Sequence, residues 1–342
     1  VVRIILRPRA VPYPDRPGAA EGPPPALAKD LTVSSNPPSP ASESAESARR
    51  LGIAGGLTCY LIWGGALPVY LKFLADMPPL EVLAHRIVWS VLTLVLLIGL
   101  LRGGAAVIAA VRNRRCLLTL VATAILITLN WLIYIYSISS GQLLQASMGY
   151  YVNPLFNVLF GYLFLRETLT PRQIVAIGFA VAGVLVLVVG AGEVPLIAVS
   201  LGLTFATYGL LRKSIPVDGA SGMFVESLIL GPIALAYLFW LAHQGTGRFA
   251  QGDAAHDWLL VLAGPMTAIP LVLFGFAVLR VRLSTMGLLQ YVSPTGQFLL
   301  ATLAYGEPFS ATHLWAFSCI WTGLAIYSIP RDLFARVGLR IR

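Results

Sequence analysis

Charge is what this sequence lacks most. Only 11% of its 342 residues are Asp, Glu, Lys or Arg, against roughly 25% in a soluble domain. That shortage excludes a chain whose surface lies mostly in water. The charge that exists is clumped, and Cys116 to Leu165 contains none of these four residue types. A helix needs about 20 apolar residues to cross the hydrocarbon core, so this run holds two crossings with Ser139-Ser140-Gly141-Gln142 as the turn. Cysteine is scarce too. Cys59, Cys116 and Cys319 sit in or beside different apolar segments without paired spacing, which reads as small buried hydrophobes rather than a disulfide or metal framework. The four histidines are scattered and form no metal site. There is no Gly-x-x-x-x-Gly-Lys-Ser/Thr loop, no His-Glu-x-x-His pair and no Gly-x-Ser-x-Gly elbow, so neither ATPase nor familiar hydrolase chemistry is written here. No cofactor is called for, and the chain is not read as an enzyme.

What is there is apolar and continuous. Ten candidate crossings fall at about 52–74, 81–101, 117–138, 143–165, 172–190, 194–211, 222–243, 257–279, 284–305 and 311–329. The segments do not alternate apolar with polar residues, which argues against a barrel. The fold class expected is an all-α integral membrane protein. Basic residues mark the cytoplasmic side. Arg102, Arg112, Arg114 and Arg115 follow the second segment, Arg166 and Arg172 flank the fourth connection, Arg212 and Lys213 follow the sixth, and Arg280 and Arg282 the eighth. Arg331, Arg336, Arg340 and Arg342 fill a basic tail at 331–342. The alternate connections hold little beyond Lys72, Asp76, Glu193, Arg248 and Asp253. An even number of crossings with both ends cytoplasmic puts every basic loop on one side. The net charge of +9 is therefore a topology signal, and no soluble basic face for nucleic acid exists. Residues 1–50 are rich in Pro, Ser, Ala and Glu and carry no signal-peptide pattern; a disordered cytoplasmic extension is expected.

The chain also repeats itself. Tyr151-Val152-Asn153-Pro154 and Tyr291-Val292-Ser293-Pro294 are 140 positions apart, and the same offset relates Glu167 to Glu307 and Gly183 to Gly323. Over the first two segments of each half the offset is 145, matching Trp63-Gly64 with Tyr208-Gly209 and Glu81 with Glu226. Two five-helix repeats are expected, 51–190 and 191–330. Five is odd, so the second copy enters the membrane inverted, with the pathway between the halves. The copies differ in polarity: Glu81 is followed by His85 and Arg86, but Glu226 by Leu230 and Gly231.

Several residues could carry transport chemistry, and each has a plainer reading beside it. Glu81 and His85 share a helix face and Arg86 lies about 100° further round and about 7.5 Å inside. They form either a proton-titrating or anion-binding cluster, or an interfacial cap with Arg86 snorkelling outward. Glu226 is either an ion-pair partner of Arg212 or Lys213 or a coupling carboxylate. Pro154 and Pro294 free the carbonyls of Tyr150 and Gln290, beside Asn153, Asn157, Ser293 and Gln297. This is either a polar pathway or a packing kink satisfied by neighbouring helices. Asn130, Trp131, Tyr134 and Gln145 lie within the uncharged run, where interhelical hydrogen bonding is the plainer account. Thr267, Ser284 and Tyr291 are weaker candidates of the same sort.

These residues are also where the chain resembles a known family, the RarD branch of the EamA-type drug/metabolite transporters. The resemblance rests on Trp63-Gly64 with Pro68, Glu81-x-x-x-His85-Arg86-x-x-Trp89-Ser90, Asn130-Trp131-x-x-Tyr134, Gly149 to Leu155, Arg166-Glu167-Thr168-Leu169, Tyr208 to Lys213, Thr267 to Leu271 and Leu283 to Gly287. It covers about 51–330. It implies ten helices in two inverted five-helix repeats, cytoplasmic termini, a bacterial inner membrane, and secondary transport, often export, of small polar metabolites or drugs. The expected partners are a small-molecule substrate, membrane lipid and protons. The cavity is expected to be lined by segments one, three, four, six, eight and nine, with Tyr150, Asn153, Gln290 and Ser293 near mid-depth. The alternatives are a membrane enzyme acting on lipid-linked substrates, for which only Glu81 with His85 qualifies, and a non-transporting scaffold.

Overall fold

The computed structural model describes residues 40–100, 104–165, 168–191, 194–278, 280–281 and 289–328. Helix α1 (Pro40–Leu61) begins eleven residues earlier than the boundary expected from composition. The reason is local. Pro40 suits a first helical turn, and Glu46 pairs with Arg50 at 3.2 Å and Arg49 at 3.4 Å along an exposed face. The helix continues through a π turn (Ile62–Ala66) into α2 (Leu67–Lys72). Pro68 explains the widening: it has no N–H for the carbonyl of Gly64, and Leu67 N–H reaches back to Ile62 instead.

The remaining helices among the described residues are α3 (Pro79–Leu100), α4 (Gly104–Arg112), α5 (Arg114–Ser139), α6 (Leu143–Leu165), α7 (Pro171–Ala191), α8 (Leu196–Lys213), α9 (Gly219–Gln244), α10 (Ala254–Val278), α11 (Val292–Leu299), which runs into a π turn (Leu300–Ala304), and α12 (Ala311–Ser328). Their ends are written in the sequence. Asn113 caps α5 by accepting from the N–H groups of Arg115 and Cys116, and Asp218 caps α9 by accepting from Ser221 N–H. Gly245 closes α9 at φ 67°, the left-handed conformation glycine tolerates. Helix lies over every apolar segment read from the sequence, although 282–288 of the ninth lies outside the described residues. Six described helices are long and apolar enough to cross a membrane. The protein is an all-helical integral membrane protein.

The halves interlock. Helix α12 packs on α7, α6 on α8, α9 and α10 on α3, α5 on α8 and α1 on α10, while α11 packs on α6 and on the π turn after α1. The 140-residue pair Gly183 and Gly323 sits at a crossing of α7 and α12. A Cβ on Gly183 would lie 2.8 Å from the Ala316 carbonyl oxygen, and a Cβ on Gly323 would lie 2.8 Å from the Ala176 carbonyl oxygen. Ala176 and Ala316 are themselves 140 apart. Residue and partner thus exchange roles, the signature of an isologous contact. Gly64 and Gly296 make a second close approach: a Cβ on Gly296 would lie 2.8 Å from the Gly64 carbonyl oxygen.

Candidate functional site

Arg86 occupies the interior. It lies about two turns into α3 and is only 4% exposed. Its Nε donates to Thr267 Oγ1 of α10 at 2.9 Å, and its guanidinium carbon stands 4.3 Å from the Trp131 ring centroid on α5. The snorkelling account of Arg86 is therefore overturned; Thr267 and Trp131 hold the side chain inward. The phenols of Tyr70, Tyr134 and Tyr150 lie within electrostatic reach of it. Tyr134 stacks edge-on against Tyr150 at 5.7 Å, and Tyr150 hydroxyl donates to Asn130 Oδ1 at 3.4 Å. Asn130 is committed on its other side, where Nδ2 donates to the Leu201 carbonyl at 3.0 Å and Thr204 Oγ1 at 2.9 Å. Asn130 thus joins α5 to α8, as the plainer reading held, and also orients Tyr150. The Arg86 Nη1 and Tyr134 Oη are buried with no hydrogen-bond partner among the described residues.

Glu81 and His85 point elsewhere. They line a cavity of about 300 Å³ with Val88, Trp89, Leu235, Leu238 and Phe249. Glu81 Oε1 accepts the N–H of Arg248 at 2.7 Å, and Phe249 lies 5.0 Å from the His85 ring and 6.1 Å from Trp89. The loop carrying Arg248 is tied down by Asp76, which accepts from Arg248 Nη1 at 2.8 Å. Glu81 Oε2 and both His85 nitrogens are buried without a hydrogen-bond partner among the described residues. Sequence reasoning missed the contribution of Phe249, because the short connection 245–253 carries no periodic signal.

Glu226 forms a third cluster. Oε1 accepts from Thr123 Oγ1 at 2.7 Å, Oε2 accepts from Tyr208 hydroxyl at 3.3 Å, and Arg212 Nε stands 3.8 Å away. Gly222 matters here, since the Arg212 guanidinium occupies the space a Cβ would need. Of the two partners read from the sequence, Arg212 is the one at Glu226.

The proline motifs meet. Ser147 hydroxyl donates to the Pro294 carbonyl at 2.8 Å, and the Tyr151 and Thr295 hydroxyls lie 2.6 Å apart. Their local geometry differs, however. Pro154 is interior to α6, but Pro294 sits in the first turn of α11, and the Gln290 carbonyl accepts Ser293 N–H at 3.2 Å. The expectation of a freed Gln290 carbonyl is therefore wrong: a proline in the first turn displaces no helical acceptor. Tyr291 carbonyl accepts from Thr295 Oγ1 at 2.7 Å. Buried Ser293 packs its backbone on Gly64 and accepts from Gln297 Nε2 at 3.4 Å, while the same Nε2 donates to the Trp63 carbonyl at 3.3 Å. The Trp63 ring belongs to an aromatic group with Tyr60 and Phe274. Asn153 is 1% exposed and both its amide atoms lack hydrogen-bond partners among the described residues. Asn157 is exposed, and Ser284 lies outside the described residues.

Polar groups gathered at helix crossings inside an apolar bundle mark a polytopic membrane protein, and its relatives place it in the transporter class. Comparisons with known proteins agree. Residues 50–189 match the EamA-like transporter family. An "Uncharacterized transporter" of Vibrio cholerae is 44% identical over 278 residues, 81% of this chain and 92% of that protein. "Protein RarD" of Escherichia coli is 39% identical, again over 81% of this chain and 94% of that protein. "Chloramphenicol-sensitive protein RarD" of Pseudomonas aeruginosa is 35% identical over 76% and 88%. A solved crystal structure shares the fold, with a TM-score of 0.52 at 20% identity, covering 81% of this chain and 97% of the other. The chain belongs to the RarD branch of the EamA-like drug/metabolite transporters.

Proposed function

We propose that this protein is a secondary active or facilitative exporter of a small polar metabolite or drug. It works by alternating access between two inverted five-helix repeats, 51–190 and 191–330, in a bacterial inner membrane with both termini cytoplasmic. The observation that carries the reading is the Arg86 centre. A charged side chain at membrane depth is costly and marks a substrate or ion pathway. This one is held jointly by Thr267 of the second repeat and Trp131 of the first. A scaffold has no use for such a centre.

The packing supports the repeat. Exchanging each helix with its counterpart turns α6 on α8 into α11 on the first π turn, α5 on α8 into α10 on α1, and α3 on α10 into α9 on α5, and all of these pairs are in contact. The reciprocal Gly183–Ala316 and Gly323–Ala176 crossings support it at single residues. For energy coupling, His85 and Glu81 line a cavity, while Glu226 is held by Arg212, Thr123 and Tyr208. Proton coupling accordingly falls to the first pair and a structural ion pair to Glu226. Single-cysteine labelling tests alternating access. Asn153→Cys and Ser293→Cys should be reached from both sides of the membrane in turn, and access from neither would make the protein a packed scaffold. Glu81→Gln that left pH-gradient-driven flux in vesicles unchanged would remove the proton role.

A further inference from the structure

We propose that Arg86 is a receptor for the anionic group of the transported molecule, and that this group is a carboxylate. The proposal rests on the transporter reading and names the substrate class of the same centre. Its first support is a missing counter-ion. Among the described residues no Asp or Glu oxygen lies within ion-pair distance of Arg86, and its hydrogen bond goes to a neutral hydroxyl, Thr267 Oγ1 at 2.9 Å. The nearest carboxylate along the helix, Glu81, is turned to the Arg248 backbone. Among the described residues, the titratable groups facing Arg86 from the packed helices are the phenols Tyr70, Tyr134 and Tyr150, and none is a carboxylate. Arg212 shows what this fold does with a structural arginine at a helix crossing: it supplies Glu226. Arg86 is more buried and receives no such partner among the described residues.

The second support is the set of unfilled donors. Arg86 Nη1 and Tyr134 Oη, on α3 and α5, are both buried and both lack a hydrogen-bond partner among the described residues. Buried polar groups left unpaired are rare and call for an explanation. An anion supplies acceptors for both and the missing negative charge at once. One guanidinium, with Trp131 flanking it, suits a monoanion, and a planar carboxylate matches its fork. The rings of Trp131, Tyr134, Tyr150 and Phe205, which follow one another in contact from the guanidinium, suit an apolar or aromatic body attached to that carboxylate. A cationic head would meet an uncompensated like charge here.

The test uses the full chain purified in detergent and three benzene-ring probes of different charge: benzoate, benzamide and benzylamine. Benzoate should raise the thermal midpoint, and the other two should not. Arg86→Gln should abolish the benzoate response without lowering the midpoint of the unliganded protein, because it discards an uncompensated charge. Tyr134→Phe, which removes one hydroxyl, should weaken benzoate binding by ~10–100-fold, the worth of one hydrogen bond to a charged group; it also serves if Arg86→Gln does not fold. No benzoate shift in the wild type, or a shift that survives in Arg86→Gln, overturns the proposal. Vesicle flux separates the two readings. Counterflow of a neutral metabolite untouched by benzoate defeats the anion site and leaves the transporter, whereas benzoate binding with no flux of any solute supports the receptor and defeats the transporter.

Discussion

Alanine at Gly183 and at Gly323 should damage the protein equally, while alanine at Gly178 should help it. The new Cβ at Gly183 would sit 2.8 Å from the Ala316 carbonyl oxygen and 2.9 Å from Ile320 Cγ1. At Gly323 it would sit 2.8 Å from the Ala176 carbonyl oxygen and 3.0 Å from Phe179 Cβ. Optimal non-bonded separations are about 3.5–4.0 Å, and a backbone oxygen cannot rotate aside as a side chain can. Helices α7 and α12 must part, and overpacking of this kind costs about 1–3 kcal/mol. Helix propensity returns about 0.5–1 kcal/mol on replacing glycine by alanine, so each variant loses about 1–2 kcal/mol net. Gly178 lies on the same helix, and nothing stands within 4 Å of its Cβ position; its substitution keeps the propensity gain alone. Thermal unfolding of the three variants in one detergent measures the sign directly. The double Gly183→Ala, Gly323→Ala variant should lose less than the sum, because one separation relieves both collisions. Equal behaviour at 178 and 183 would refute the close approach. A loss at 183 with none at 323 would refute the reciprocal crossing on which the repeat proposal leans.

Three further outcomes are expected. Arg212→Gln should destabilise by about 3–5 kcal/mol, as removal of one partner from a buried pair does, and adding Glu226→Gln should recover most of it; a denaturation cycle reads the coupling. Glu307 accepts the N–H groups of Leu143 at 2.8 Å and Leu144 at 2.7 Å at the start of α6, so Glu307→Ala should cost about 0.5–2 kcal/mol in the same assay. Burial holds the Glu307 carboxyl above its usual value, against the opposing pull of the Leu144 and Leu143 donors. The folded state then binds that proton at higher pH than the unfolded chain, stability rises as pH falls through the raised value, and Glu307→Gln should erase that slope. Asn130→Ala should cost about 1–3 kcal/mol by removing the donor to the Leu201 carbonyl and Thr204 Oγ1 and the acceptor of the Tyr150 hydroxyl, and should loosen α5 from α8 in hydrogen exchange.

Much of the scaffold is legible in the chain because hydrophobic length and repetition are local or one-dimensional signals. The 140-residue offset pairs Gly183 with Gly323 and one proline motif with the other, and the structure sets each pair at a helix contact that the offset alone does not announce. The site was legible only as a set of residue types. Arg86 could snorkel or point inward, and what decides is Thr267, 181 positions away. Arg212 and Lys213 were interchangeable on paper; helical geometry places one of them at Glu226. The two Tyr-Val-x-Pro motifs read alike, yet one lies inside a helix and the other opens one, because the backbone before the proline, rather than the tetrapeptide, sets its role.

That difference bears on why, under the two-repeat proposal, an arginine would stand at this position in one copy and not in the other. The 145-residue offset pairs Arg86 with Gly231, and α3 and α9, which bear them, pack on each other. Arginine in both copies would set two guanidiniums into neighbouring layers of one poorly hydrated bundle, where like charges repel far more strongly than in water. Glycine at 231 removes the second charge, and its Cβ position meets only Val91 at 3.6 Å. Helix α10 instead contributes the hydroxyl of Thr267, which can hold Arg86 without neutralising it. A carboxylate in place of Thr267 would bind Arg86 permanently and leave nothing for a passing anion to satisfy. The polar asymmetry between the halves is thus what the anion proposal requires: matched frames for the motion, and a single unspent charge between them for the cargo.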